Sequence, residues 1–280
     1  RFYSKYLSEK IYRLDPSYKT PAHEFNDGVD YVPTNKFVLW GHHFSSIAGA
    51  APIIGPAIAV IWGWVPAFIW VVFGTIFLAG MHDLGTLWAS VRNKGQSVGT
   101  IANRVIGRRG QSLFLIILFL LLLMINTVFA VSIANLFIAF PGSVLAYWLQ
   151  LPLAILFGYM VYRKGANLLA ASLISFFLLL SFVFIGYLVP VVLPQTMLGM
   201  SAVAWWVLIM LLYGAIASRL PVWLLLQPRD FINSHLLFFG LILIYVAVFV
   251  GRPEMVAPMV NSNVPADTPS ILPLLFVTIA

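Results

Sequence analysis

Gly41-His-His-Phe-Ser-Ser-Ile-Ala-Gly-Ala-Ala-Pro-Ile-Ile-Gly-Pro56 is a stretch apolar enough to cross a bilayer, yet it contains two histidines, three glycines and two prolines. Glycine and proline weaken the helical hydrogen-bond ladder, and backbone groups freed in this way are tolerated at membrane depth only beside protein or a polar cavity. The stretch therefore predicts a broken membrane helix, which is a candidate place for binding a solute.

The composition indicates a polytopic membrane protein. Hydrophobic residues make up 61% of the 280 residues and charged residues 9%, with a mean hydropathy of +0.95, whereas about a quarter of the residues are charged in a typical soluble domain. The chain contains no cysteine, which excludes disulfides, thiol chemistry and cysteine-ligated metal. It begins at an arginine and ends within an apolar stretch, so we expect it to be part of a longer protein.

The apolar segments predict seven membrane spans and the start of an eighth near Ile271, because about 20 apolar residues suffice to cross the hydrocarbon core. The seven spans cover residues 37–62, 64–90, 112–140, 143–162, 166–193, 202–226 and 233–251.

The lysines and arginines predict the orientation of these spans. If the spans alternate in direction, every basic residue except Arg252 falls on one side of the membrane, and short cytoplasmic loops are the ones enriched in lysine and arginine. We therefore expect residues 1–36 to be a cytoplasmic segment that leads into the first span. This bias explains the net charge of +7, and no nucleic-acid partner is needed to account for it.

Two connecting segments carry further signals. Residues 98–106 have apolar side chains at helical spacing between basic ones, which predicts a short amphipathic helix on the cytoplasmic surface. The proline-rich segment 252–269 is the longest loop on the outer side, and it is expected to be either an outer lid or an ordinary solvated loop.

A second break, from Gly214 to Pro221, interrupts the sixth span. Transporters built from inverted repeats have discontinuous helices at corresponding positions in their two halves, and first and sixth is the offset of a five-plus-five repeat. We therefore predict an all-α helical bundle that forms one transporter domain, with a first repeat at 37–193 and the start of a second at 202–280. Arg219 either extends to the cytoplasmic interface or holds a carboxylate.

Four ionisable side chains are predicted to meet in the cytoplasmic half of the first two spans. His42 and His43 enter the first span, and His82 with Asp83 lies in the inner half of the second. A histidine beside a carboxylate can take up and release a proton near neutral pH, as proton-coupled transport requires. The same groups could instead ligate a divalent metal such as zinc, or form a structural hydrogen-bond network. The sequence leaves these three interpretations open.

Several motifs together resemble those of a known family. They are Asp27-Gly-Val-Asp-Tyr-Val-Pro-Thr-Asn-Lys36, the stretch 41–56, Met81-His-Asp83, Ser90-Val-Arg92 and Leu220-Pro-Val-Trp-Leu-Leu-Leu-Gln-Pro-Arg-Asp230. The chain is similar to the carbon starvation protein A family of bacterial inner-membrane transporters. The resemblance implies import of peptides, or of pyruvate driven by protons, and the five-plus-five core of the amino acid, polyamine and organocation transporters. It also implies that one span precedes this chain and that several follow it.

Our leading hypothesis is a secondary active transporter, not an enzyme, that imports small carboxylate-bearing nutrients. The proton is the coupling ion, carried by His42, His43, His82 and Asp83, and no cofactor is required. Helix-end amides at the two breaks bind the substrate carboxylate. The expected partners are small peptides or pyruvate and membrane lipid, and the sequence predicts no oligomeric state. The central site is expected to comprise Gly49, Ala50, Ala51, Pro52, Gly55, Ser218 and Arg219.

Two alternatives belong to other classes of protein. An intramembrane metalloenzyme would use His42, His43, His82 and Asp83 as metal ligands, although the sequence offers no His-Glu-x-x-His motif. A channel, or a sensor coupled to a signalling partner, would lack saturable and concentrative uptake.

Overall fold

Helices account for nearly all the regular structure in the part of the chain that the computed structural model describes, residues 2–272 and 275, with positions 50 and 51 described by backbone alone. Two short strands, β1 (Thr196–Met197) and β2 (Met200–Ser201), pair antiparallel. The α-helices are α1 (Phe2–Tyr6), α2 (Pro21–Glu24), α3 (Lys36–Ile47), α4 (Ala50–Ala59), α5 (Trp64–Gly74), α6 (Gly80–Arg92), α7 (Val98–Ala139), α8 (Gly142–Gly158), α9 (Leu168–Leu188), α10 (Ala202–Ala217) and α11 (Leu226–Gly251). Single π-helical turns at Leu7–Ile11, Thr75–Ala79 and Tyr159–Arg163 and a 3₁₀ turn at Val60–Trp62 extend or join them.

Five helical segments of the described residues are long and apolar enough to cross a membrane, and α10 is a shorter apolar helix. The prediction of an all-α, multi-pass membrane protein is confirmed. The eighth predicted span, from Ile271, lies almost wholly outside the described residues. The five segments are Trp64–Arg92, Val98–Ala139, Gly142–Arg163, Leu168–Leu188 and Leu226–Gly251.

The first predicted span is interrupted. Helix α3 ends at Ile47 and α4 begins at Ala50, with Gly49 in an extended conformation between them. Pro52 lies in the first turn of α4, where its missing amide removes no intrahelical hydrogen bond. The proline therefore helps to start the second helix as well as to end the first.

The boundary between the sixth and seventh predicted spans was wrong. Helix α10 ends at Ala217, residues 218–225 form turns, and α11 already begins at Leu226, rather than at residue 233. Pro228 lies in the first turn of α11, a position that tolerates proline. The predicted interruption is thus the end of one helix and the approach to the next.

Helix α7 joins the predicted amphipathic helix to the third span. Residues 98–106 are helical, as predicted, and Gly107 interrupts the helical backbone with φ +73° before the long apolar part begins. A positive φ is readily adopted by glycine, so a change of direction occurs at this residue.

Contacts between residues divide the chain into two compact units. The first comprises Arg1–Asn26, Ala48–Ile117 and Pro253–Ala280, and the second comprises Asp27–Ile47 and Leu118–Arg252. The chain passes from the second unit to the first directly after α3.

In the first unit, the proline-rich loop after α11 is fixed to the turn between α4 and α5. The Trp64 and Val65 amides donate to the carbonyls of Pro258 and Met259, and the Asn261 side chain donates to the Ile61 carbonyl. Asn261 also donates its backbone amide to the carbonyl of Trp62, at 3.0 Å. The loop is therefore attached to this unit by hydrogen bonds, although most of its residues are exposed.

The first unit also holds the opening segment of the chain along its second span. The Tyr3 and Tyr12 hydroxyls donate to the carbonyls of Phe77 and Met81, at 3.2 and 3.1 Å. Phe77 lies in the π-helical turn, where the regular α-helical hydrogen-bond spacing is lost. Tyrosine side chains thus supply partners to backbone groups of the span.

In the second unit, the segment that leads into α3 is ordered by local hydrogen bonds. Asp27 Oδ1 accepts from the amides of Val29, Asp30 and Tyr31, each at 2.9 Å. The bond from the Tyr31 amide, followed by the bonds from the other two amides, keeps the pKa of Asp27 below its usual value, because these bonds favour the charged form of the carboxyl group. The motif Asp27–Lys36 is thus a structured entry to the first span.

The core of the second unit brings α3, α8, α9 and α11 together around Val38, Phe157, Leu179 and Ile232. Gly41 allows α3 to approach α11 closely, since a Cβ atom there would lie 2.8 Å from Phe231 Cδ2. Small residues commonly permit such close approach between membrane helices. The consequence is that polar side chains on the same face of α3 reach the first turns of α11.

Candidate functional site

An ion pair lies in the first turns of α11. Arg229 donates from Nη2 and Nε to a single oxygen, Asp230 Oδ1, over 2.8 and 3.0 Å. The Asp230 side chain is 12% exposed and that of Arg229 is 24% exposed. Charged side chains in a membrane span are costly unless they are paired or face a polar cavity. Each member of this pair neutralises the other, which favours their placement in a spanning helix.

Helix α3 supplies two more groups to this pair. His42 Nδ1 lies 2.9 Å from the other carboxylate oxygen, Asp230 Oδ2, although the direction of the ring nitrogen does not give a well-aligned hydrogen bond. Ser46 Oγ lies 3.2 Å from the same oxygen and 2.7 Å from the His42 carbonyl. The two residues are four positions apart and therefore share one face of the helix.

Tyr213, on α10, completes the group, which we call the charged cluster: His42, Ser46, Tyr213, Arg229 and Asp230. Arg229 Nη1 donates to the Tyr213 hydroxyl oxygen at 3.0 Å. Every nitrogen of the guanidinium group therefore has a partner, and its plane is fixed by two helices. Arginine orients carboxylates well when it is held in this way.

A cavity of about 280 Å³ lies in the same unit. Its lining includes Tyr147, whose ring contacts the Tyr213 ring edge-on at a centroid separation of 6.3 Å. Gln150, which is 8% exposed, and Ser143 add polar side chains to a mainly apolar wall. Small-solute sites commonly combine an apolar lining with a few polar groups.

The charged cluster can perform two kinds of chemistry. The imidazole of His42, a group that can carry a proton, has its Nδ1 atom 2.9 Å from the Asp230 carboxylate. The guanidinium group of Arg229 can hold a carboxylate, and the one that it holds is Asp230. The Asp230 carboxylate, which can accept a proton, is therefore also the carboxylate that binds the Arg229 guanidinium group.

The predicted proton-carrying residues fall into two groups. His42 belongs to the charged cluster, and His43, next to it on α3, is exposed. His82 and Asp83 lie in the first unit, where His82 Nδ1 is 3.3 Å from Asp83 Oδ1 and the two side chains are 73% and 38% exposed. The proposal that all four act together stays a prediction. Within each unit, the described residues bring no three His, Asp or Glu side chains together in a way that would hold a metal ion.

The predicted substrate-binding residues also fall into two groups. Gly49, Ala50, Ala51, Pro52 and Gly55 lie in the first unit, where Gly49 precedes the first turn of α4. Ser218 and Arg219 lie in the second unit, directly after α10, and both are exposed. The Ser218 hydroxyl donates to the Ala215 carbonyl at 2.9 Å. Whether the two groups form one site stays a prediction.

Sequence reasoning missed Ser46, Tyr213 and Asp230, and it placed Arg229 in a cytoplasmic loop. That placement was wrong, because Arg229 lies within α11 and pairs with Asp230. A signal was present in the sequence: Arg229-Asp230 directly precedes a long apolar run, and adjacent opposite charges at the start of a span indicate an intramembrane pair.

Comparison with known proteins agrees with the membrane architecture. The family model described as "Carbon starvation protein CstA" matches residues 1–280. The chain is 32% identical to the peptide transporter CstA of Campylobacter jejuni and 32% identical to that of Escherichia coli K12. It is 30% identical to the pyruvate/proton symporter BtsT of Escherichia coli K12. Each match covers 100% of this chain but only 40% to 41% of the relative, so the chain spans about two fifths of their length. No solved structure matches it.

Proposed function

The chain belongs to the carbon starvation protein CstA family, and we propose that it forms part of a secondary active transporter that imports peptides or pyruvate with protons. One observation carries the proposal: a charged cluster lies beside an interrupted membrane helix. His42 is 2.9 Å from Asp230, and α3 ends shortly after it at Ile47. Ionisable groups within membrane spans commonly mark proton or solute pathways.

The interrupted spans provide the proposed substrate site. The backbone amides of Gly49, Ala50 and Ala51 lie at the start of α4, and the first amides of a helix have no intrahelical partner and favour a negative charge. In this proposal Pro52 and Gly55 shape that helix end. Ser218 and Arg219 lie at the second interruption, in the second unit, and are the proposed binding residues of that corresponding element of a five-plus-five repeat.

The proposed coupling ion is the proton. His42 is the first candidate to carry it, because a carboxylate lies within proton-transfer distance. His82 and Asp83 are the second candidate, and His43 the third. The name of one relative, a pyruvate/proton symporter, supports this choice of ion, and the names of both kinds of relative support transport over catalysis.

Orientation and location are part of the same proposal. Residues 1–36 face the cytoplasm, and the protein lies in the bacterial inner membrane, where a proton gradient can drive import under carbon starvation. The distribution of lysine and arginine supports this orientation.

Uptake by proteoliposomes tests the proposed function. Radiolabelled pyruvate and dialanine are supplied separately to vesicles that contain the protein with all native flanking sequence, with the inside made alkaline. We expect the gradient to raise the initial rate of uptake of at least one substrate by tenfold or more, and an uncoupler to remove the increase. Equal uptake with and without the gradient, or equal uptake by protein-free vesicles, would reject proton-driven import.

A further inference from the structure

We propose that Arg229 is the receptor for the substrate carboxylate, and that Asp230 occupies it until Asp230 is protonated. The inference rests on the proposed function, namely that the protein imports carboxylate-bearing solutes with protons. It assigns the binding and coupling steps to one pair of adjacent residues in α11, and it makes Arg229, in place of the helix-end amides of Gly49, Ala50 and Ala51, the group that binds the carboxylate.

The first argument is the geometry of Arg229. Its Nε and Nη2 atoms form the edge of the guanidinium group that can hold both oxygens of a carboxylate, yet both donate to Oδ1 of Asp230 alone. A carboxylate that presented two oxygens to this edge would form two parallel hydrogen bonds, which is the favoured geometry for arginine. The native pair therefore leaves a better arrangement open to an incoming carboxylate.

The second argument is the fixed position of the guanidinium group. Arg229 Nη1 donates to Tyr213 on α10 at 3.0 Å, so release of Asp230 would leave the arginine held in place. The donor edge then needs little reorientation before it binds a new carboxylate. A receptor that is already oriented loses less entropy when it binds.

A proton donor lies close to Asp230. Its other oxygen, Oδ2, is 2.9 Å from His42 Nδ1 and 3.2 Å from Ser46 Oγ. In the proposed step the protonated His42 ring turns to point its Nδ1–H at Asp230, the N–H bond breaks and an O–H bond forms on Oδ2, which leaves a neutral imidazole and a neutral carboxylic acid. A neutral acid attracts Arg229 far less than a carboxylate does.

The surroundings of Asp230 contain few other ionisable groups that face it. Arg229 lies on its own helix, His42 on α3, Tyr213 on α10, and Tyr147 on α8 next to Tyr213. In the proposed exchange the proton moves between His42 and Asp230, while the guanidinium group of Arg229 stays positively charged.

A cavity of about 280 Å³ lies near the charged cluster, separated from it by the contact between the Tyr147 and Tyr213 rings. Tyr147 and Gln150 line this cavity, whereas Arg229 and Asp230 do not. In the proposal, a solute that binds Arg229 would enter this cavity only if the two rings moved apart.

The exchange of Asp230 for the substrate carboxylate at Arg229 explains why proton uptake and substrate binding would be strictly coupled. A largely buried arginine needs a negative partner. Arg229 therefore holds either ionised Asp230, or the substrate carboxylate while Asp230 is neutral. One proton therefore enters the cluster with each substrate carboxylate, and the net charge of the cluster does not change.

Proton uptake on binding tests the exchange without any substitution. Pyruvate or dialanine is added to the purified protein with its native flanking sequence, in weakly buffered detergent solution with a pH indicator. We expect about one proton to be taken up per substrate bound, and the apparent Kd to rise about tenfold for each pH unit well above the pKa of the cluster. Binding without proton uptake overturns the inference.

Asp230→Asn separates binding from coupling. The amide is neutral, as protonated Asp230 is, so we expect the variant to bind and exchange substrate with a Kd that does not change with pH, but to lose gradient-driven accumulation. Asp267→Asn, at an exposed carboxylate in the outer loop, is the matched control and should behave as the wild type. Arg229→Lys should raise the Kd at least tenfold, because lysine cannot form the two parallel bonds.

The possible failures are distinguishable. If the wild type accumulates substrate under a pH gradient and Asp230→Asn accumulates it equally, the exchange is wrong while the proposed function stands. If the wild type accumulates neither pyruvate nor dialanine, the proposed function itself fails. If Asp230→Asn does not fold, proton uptake by the wild type still tests the proposal: about one proton taken up per substrate bound supports the exchange at Arg229, and none rejects it.

Discussion

At the scale of single residues, the central fact is that His42 and Asp230 lie 2.9 Å apart although they are 188 positions apart in the sequence. The histidine had been grouped with His82 and Asp83 because all of them lie near the cytoplasmic ends of adjacent spans. That grouping used depth in the membrane, which a sequence reveals through hydropathy and loop charge. The pairing of His42 with Asp230 depends on which faces of α3 and α11 meet. Depth in the membrane alone does not reveal those faces.

Replacement of each histidine separates the two candidates for the proton-carrying group. We expect His42→Gln to reduce the initial rate of gradient-driven uptake at least tenfold, because glutamine resembles imidazole in size and polarity but cannot carry the proton. His82→Gln should have a smaller effect, since the His82 side chain is 73% exposed and its Nδ1 atom lies farther from its carboxylate partner, at 3.3 Å from Asp83. His23→Gln, at an exposed residue of α2, controls for the loss of a histidine.

A larger loss in His82→Gln than in His42→Gln would move the coupling step to the first unit. The comparison is made at matched protein density in the vesicles and at several external pH values. A role in folding alone would change the amount of reconstituted protein without altering the pH profile of the remaining activity.

At the scale of helices and loops, hydropathy and breaker residues predicted most of the spans. The interruption after Ile47 was predicted from Gly49 and Pro52, and the end of α10 from the Gly214–Pro221 segment. The start of α11 was placed too late because its first turns are polar, with Arg229 and Asp230 resembling a loop. Arg229 and Asp230 made the start of α11 look like a loop in the sequence, and the same two residues form the ion pair of the charged cluster.

The proline-rich loop 252–269 of the first unit gives a prediction at this scale. Gly63 has φ +107°, and a Cβ atom there would lie 2.5 Å from the Met259 carbonyl oxygen. We therefore expect Gly63→Ala to detach the loop from the turn at 60–65 and to increase amide hydrogen exchange across residues 253–270 at least tenfold. The alanine conflicts with both the backbone conformation and the space available.

Gly240→Ala is the matched control, because no atom lies within 4 Å of a Cβ at this helical position and alanine favours a helix over glycine. Exchange across 253–270 should be unchanged in this variant. Equal rates of amide hydrogen exchange across 253–270 in the wild type and in Gly63→Ala would show that the attachment of this loop does not depend on Gly63.

At the scale of the whole molecule, the sequence predicted a multi-pass helical protein from composition and an orientation from lysine and arginine. The first is confirmed, and the second remains a proposal that a labelling experiment can test. The chain contains no cysteine, so single cysteines can be introduced as reporters. Ser17 and Ser262 are exposed positions in the opening segment and the outer loop.

In intact cells we expect a membrane-impermeant maleimide to label Ser262→Cys and to leave Ser17→Cys unlabelled until the membrane is permeabilised. The expectation follows from the lysines and arginines outside the spans: every one but Arg252 falls on one side if the spans alternate, and Arg229 is not counted because it lies within α11. Labelling of Ser17→Cys in intact cells would reverse the orientation.

The steady-state accumulation of pyruvate in proteoliposomes tests the central claim most directly. Valinomycin and equal potassium on both sides hold the membrane potential at zero, and the vesicle interior is made one pH unit more alkaline. One proton per carboxylate predicts an inside-to-outside ratio of about tenfold, because one pH unit corresponds to about 1.4 kcal/mol. A ratio of one, or a tenfold ratio in protein-free vesicles reached at the same rate, would contradict proton-coupled import by this protein.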